Sequence, residues 1–203
     1  MKLRFVLVPF IMALTAVSAF AQKNEIGVLI GGLSPLDRDG RAPSISSIAI
    51  GTGLAYQVNF AHRIVNAHLA ALYIEVPIVG APNTDVNSSN VFSPRSYSSL
   101  FITPGLKLKA LPVAGISPYL AAGVGFARFS GSGSRQDGQP NTSSGGSTTG
   151  AFNFGGGLDM KVAPFISVRG EIRDYISGNP EFNLSVSGKQ HSVMFAGGVV
   201  LRF

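Results

Sequence analysis

From Ile48 to Phe60 the chain reads IAIGTGLAYQVNF, and its side chains sort by parity. Ile48, Ile50, Thr52, Leu54, Tyr56, Val58 and Phe60 occupy even positions, whereas Ala49, Gly51, Gly53, Ala55, Gln57 and Asn59 occupy odd ones. Successive side chains of an extended strand point to opposite faces. Such a period of two predicts a strand with one bulky apolar face and one small or polar face.

The same division recurs along the chain, predicting eight strands near 24–33, 48–60, 66–78, 98–110, 118–129, 150–162, 165–176 and 191–203. Between 98 and 110, Leu100, Ile102, Leu106 and Leu108 oppose Thr103, Gly105, Lys107 and Lys109. Between 165 and 176, Ile166, Val168 and Ile172 oppose Ser167, Arg169, Glu171 and Arg173. Connection lengths add topology. Long polar connections near 34–46, 79–97, 130–149 and 177–190 alternate with short ones, AHRIV, LPVAGIS and APF. A meander with every long connection at one end accounts for that rhythm. Alternating segments of about ten residues, long loops and short turns form the sequence pattern of a transmembrane barrel. The predicted fold class is all-β: an eight-stranded antiparallel up-and-down transmembrane β-barrel.

The same period would suit a soluble barrel with its faces reversed, and side-chain volume separates the two. An eight-stranded barrel has a bore just wide enough for side chains to fill. Here Gly and Ala share a face with the charged residues, and the branched and aromatic residues share the other. The bulky set would overfill the bore, so it faces outward into an apolar medium. A closed barrel leaves no backbone group unpaired in hydrocarbon. Phe126, Phe152, Phe154 and Phe195 fall toward the loop end and Phe60 and Phe203 toward the turn end, as two aromatic girdles would. Pro104, which removes a ladder hydrogen bond, predicts a bulge or kink near Thr103–Gly105.

Composition and charge narrow the function classes. MKLRFVLVPFIMALTAVSAFAQ combines Lys2 and Arg4, an apolar run from Phe5 to Val17 and Ala19-Phe20-Ala21. That is the form of a cleaved secretory signal peptide over 1–21, leaving 22–203 as the barrel domain. Its removal leaves fourteen bases against ten acids, a net +4, which is no nucleic-acid footprint. There is no cysteine, so no disulfide or thiolate site is available. The three histidines are dispersed without metal-ligand spacing. No cofactor is expected.

The closing stretch FAGGVVLRF places Phe195, Val199, Leu201 and Phe203 on one face. It resembles the terminal strand of bacterial outer-membrane barrels, with Leu201 where the family usually has an aromatic. The whole of 22–203 is similar to the small OmpA-type and OmpX-type barrels. The resemblance implies a cell outer membrane location among lipid and lipopolysaccharide. It also implies assembly by the barrel machinery acting on Phe195, Val199, Leu201 and Phe203. Loops reach outward to a possible extracellular ligand, and a closed barrel needs no neighbour, so a monomer is expected.

The inward face gathers Glu25, Glu75, Asp159 and Glu171 with Lys107, Lys109, Lys161, Arg169, Arg173 and Arg202. Buried charges are costly unless paired, so these ten residues are expected to form a salt-bridge network that plugs the lumen. A structural or surface-interaction protein is the leading expectation, a narrow channel for small solutes or ions the second. Lipid A modification, known among small outer-membrane barrels, is the third. His191 and Ser192 are neighbours, so pleating sends them to opposite faces, and no carboxylate shares a convincing face with either. Enzymatic activity is therefore not expected. The segment 130–150 is poor in apolar residues and is expected to be mobile.

Overall fold

The computed structural model describes residues 23–35, 49–87, 94–141, 146–178 and 189–203. The predicted signal segment 1–21 lies outside them. The strands are β1 (Asn24–Pro35), β2 (Ala49–Ile50), β3 (Gly53–Ala67), β4 (Ala70–Asn87), β5 (Ser96–Ile102), β6 (Gly105–Ala110), β7 (Ile116–Gly131), β8 (Gly146–Ala163), β9 (Ile166–Gly178) and β10 (Lys189–Arg202). Each long strand pairs antiparallel with the next, and β10 returns to β1, with Glu25 opposite Arg202 and Pro35 opposite Ser192. Backbone bonds between Asn24 and Phe203 in both directions, at 2.9 and 3.0 Å, complete the ring. The ring has eight staves because β5 and β6 are two halves of one.

The division of that stave falls at Thr103 and Pro104, the predicted site of irregularity. Pro104 has no N–H to give, and Val124 N instead donates to the Pro104 carbonyl at 3.0 Å. Inside the barrel the Asn153 amide donates to the Thr103 hydroxyl, tying the interrupted wall to β8.

Three boundaries depart from expectation. The first short turn is not at 61–65: the β3–β4 ladder continues from Ala61 opposite Glu75 to Ala67 opposite Ala70. The chain reverses at His68 and Leu69. Ile64 and Val65 are β-branched and favour extension, and a bulge between Arg63 and Val65 absorbs one extra residue. Above the barrel, β4 runs on to Asn87, where β2 pairs with its end, so much of 79–97 is strand rather than loop. Finally, 132–141, expected to be mobile, is tied to neighbouring segments by hydrogen bonds. Ser132 N donates to Ser96 O at 2.8 Å, Arg95 N to Ser134 O at 3.1 Å, and the Gln136 amide to Val86 O. Its turn uses Gly138 at φ +80°, a left-handed conformation that glycine adopts without strain.

Burial follows parity. Glu25, Gly27 and Leu29 are buried while Ile26, Val28 and Ile30 are exposed, and every other stave repeats the alternation. The inside is filled in two layers. Charged side chains occupy the half nearer the short turns. Leu33, Val79, Tyr97, Phe101, Phe129, Tyr175 and Met194 form an apolar cluster nearer the loops.

Candidate functional site

The lumen is the candidate site, and its chemistry begins with strand alternation. In β9, pleating turns Ser167, Arg169, Glu171, Arg173 and Tyr175 inward, so two guanidinium groups flank one carboxylate on a single strand. Across the ladder Asp159 of β8 faces Arg169, and Tyr73 of β4 faces Lys107 of β6. Small residues make the room. A Cβ on Gly157 would stand 2.6 Å from the Tyr119 hydroxyl, so only glycine lets that ring lie against the wall.

Glu25 is the hub. Its carboxylate pairs with Lys107 at 2.8 Å, Arg169 at 3.2 Å and Arg202 at 3.4 Å, and also with Lys109. Asp159 accepts a two-pronged contact from Arg169, at 2.7 and 2.9 Å, and pairs with Lys109 at 2.6 Å and Arg202 at 3.3 Å. Glu75 pairs with Arg173 at 2.7 Å and Lys107 at 3.3 Å. Glu171 takes Arg173 at 2.8 Å, an amide donation from Gln57 at 2.6 Å and the Tyr119 hydroxyl.

The rings of Tyr73 and Tyr119 lie against cations that the carboxylates also pair. Lys107 and Lys109 lie 5.0 and 5.1 Å from the Tyr73 centroid, and the Arg169 guanidinium lies 4.7 Å from that of Tyr119. A cation within about 6 Å of a ring face is attracted by its quadrupole. These contacts matter because transferring an ion from water costs several kcal/mol, repaid only by good geometry and multiple partners. Each of the four acids has at least two basic or hydrogen-bonding partners. The arrangement sets five bases against four acids, and apart from Arg202 at 9 % each of these side chains is at most 3 % exposed.

Nine of the ten expected lumen residues thus meet. Lys161 does not. It has the inward parity, but lies past Asp159 at the turn end, where the β8–β9 register shifts between Lys161 and Ala163. Its side chain is exposed there, and among the described residues it makes no ion pair. A long lysine at a rim reaches water more cheaply than it enters a crowded bore. Phe195, Val199, Leu201 and Phe203 all face outward, each more than 40 % exposed, on the strand that closes the ring against β1.

No protein-family model matches the chain, and no curated protein sequence matches it. Solved structures do. Neisserial surface protein A (NspA) superposes with a TM-score of 0.57 at 12% identity, over 89% of this chain and 97% of that one. The outer membrane protein OprG from Pseudomonas aeruginosa superposes with a TM-score of 0.54 at 13% identity, over 90% and 96%. The fold is that of the small eight-stranded outer-membrane barrels. At such identities the likeness concerns the backbone alone.

Two features escaped the sequence reading. The first is the aromatic layer: Phe101 meets Phe129 edge-on at 5.7 Å and Tyr175 at 5.0 Å, and Tyr97 meets Phe129 at 6.1 Å. All four have inward parity, so alternation carried the signal, but attention to the charges obscured it. Tyr97, which falls in the predicted connection 79–97, is buried in this layer. The second is a carboxylate beside His191. Asp174 Oδ2 stands 2.7 Å from His191 Nδ1 on the outer face, correcting the expectation that no acid shares that face. Ser192 points into the barrel, 2 % exposed, as pleating requires. Among the described residues no hydroxyl bonds to His191.

Proposed function

We propose that the protein is an integral outer-membrane barrel with a lumen closed to solutes, serving the cell surface as a structural or surface-interaction component. One observation carries this reading: the ionised side chains are sealed inside while the branched and aromatic ones cover the outside. Leu120, Val124 and Phe195 are 69, 65 and 58 % exposed, and Lys107, Lys109 and Asp159 at most 1 %. A soluble protein hides the first set and solvates the second, whereas a bilayer reverses both demands.

Closure is argued from the two stacked layers, one ionic and one aromatic, which a permeating solute would have to breach in turn. Assembly through the outward face of β10, export by the 1–21 segment and contact with outer-leaflet lipid belong to the same proposal.

Planar-bilayer recording of the refolded protein tests it. The expected record is flat, and steady conductance of porin size would instead establish the narrow-channel reading. Lipid A mass spectra from cells with and without the gene should be identical; a change in acyl pattern would establish an enzyme. Orientation has its own test. Leu120 lies four residues above the start of β7, near mid-membrane by strand geometry. Leu120→Arg should cost about 2–4 kcal/mol of folding free energy in lipid, read by denaturant titration of the heat-modifiable band. Unchanged stability would rule out an outward, lipid-facing Leu120.

A further inference from the structure

On the outer wall, one row of cross-strand partners runs Tyr56, Gly80, Leu100, Arg128 across β3, β4, β5 and β7. Gly80 interrupts the apolar belt. A Cβ built on it would meet nothing within 4 Å. The result is a groove of about 450 Å³ whose floor is Gly80 and whose walls are Tyr56 and Leu100. Val58 and Ile78 extend it toward mid-membrane, and Ser98 and Ser130 edge its outer end. That volume lies within the roughly 300–1,000 Å³ usual for small-ligand sites.

Two further observations give the groove a direction. The β4–β5 register skips from Ala81 opposite Ser99 to Thr84 opposite Tyr97, a bulge at Pro82 and Asn83 that re-aims the wall at the groove's outer end. Arg128 stands at the same end on the outer face, exposed, and among the described residues its side chain makes no ion pair or hydrogen bond. Asp85 lies on this face farther toward the loops, in register with Ser96, and makes no ion pair with Arg128.

Height completes the picture. Gly80 is ten residues from Ala70 along β4, and Arg128 twelve from Ile116 along β7. At about 3.3 Å per residue and a tilt of about 40°, they stand roughly 25 and 30 Å above the turn end. An apolar band about 25 Å tall then ends at Gly80, with Arg128 at headgroup level.

We propose that this groove seats one phosphorylated lipid of the outer leaflet, an acyl chain lying over Gly80 between Tyr56 and Leu100 and its phosphate on the Arg128 guanidinium. The proposal rests on the outer-membrane reading above. Guanidinium presents paired donors that match phosphate oxygens, and a lone cation beside an apolar trough selects an amphiphile with an anionic head over a free anion or a neutral chain.

Native mass spectrometry of the refolded barrel, released from micelles containing lipid A or its dephosphorylated form, tests the proposal. Wild type should retain one lipid A. Retention should fall about tenfold, roughly 1.4 kcal/mol, for the dephosphorylated lipid, for Arg128→Gln and for Gly80→Leu. Gly170, another outward glycine with open space at its Cβ position, provides the control: Gly170→Leu should retain lipid like wild type. Equal retention of both lipids, or by both groove variants, would overturn the proposal, as would displacement by millimolar inorganic phosphate. Gel mobility before and after boiling keeps the two readings apart. A heat-modifiable barrel without selectivity defeats only the groove, whereas a wild type that never folds in micelles defeats both.

Discussion

The two halves of the lumen solve one packing problem by different means. Near the short turns, Glu25, Asp159, Glu75 and Glu171 are held by Lys107, Lys109, Arg169, Arg173 and Arg202. Near the loops, Phe101, Phe129, Tyr97 and Tyr175 fill the same bore with rings. The aromatic layer buries no ionised group and tolerates substitutions that conserve volume. The ionic layer is stable only while complete, because a base that loses its acid remains buried and charged. One bore can therefore be filled robustly or specifically. This chain does both in series.

Substitution at the hub should have the largest effect. Glu25→Gln leaves five bases facing three acids, and the expected loss is about 3–5 kcal/mol, measured by denaturant titration in micelles. A loss no greater than that from an aromatic substitution would mean the layers do not differ in kind. In the upper layer, Phe101→Leu keeps most of the volume and should cost under about 1.5 kcal/mol. On the proposed closure of the bore by the ionic layer beneath, bilayer recordings of Phe101→Leu should stay flat, and steady conductance would show that the aromatic layer is needed for closure. The smallest effect belongs to Lys161. Lys161→Gln should stay within about 0.5 kcal/mol of wild type, and a loss comparable to that of Glu25→Gln would return it to the network.

Parity made most of the barrel legible in the sequence. It identified the staves, their two faces, the inside-out distribution and nine of the ten lumen charges, and Pro104 marked the broken stave. The limits lay at the ends of strands. Ile64 and Val65 fall inside the predicted connection AHRIV, yet the ladder runs past them with Ile64 as the bulge, and the 132–141 segment is fastened by backbone bonds to 95–96 that its polar composition does not announce.

A single strand reveals its alternation and which of its faces is bulky, and both can be read along the chain. Which residues meet was settled when the sheet closed. Arg169 and Glu25 are 144 residues apart yet in contact, and Asp174 lies beside His191 through the β9–β10 register. Gly80 and Arg128 line one groove because four strands align in one row. The physical reason is that pleating is a local property of the backbone, whereas cross-strand and cross-lumen contacts depend on the register and stagger at which the sheet closes.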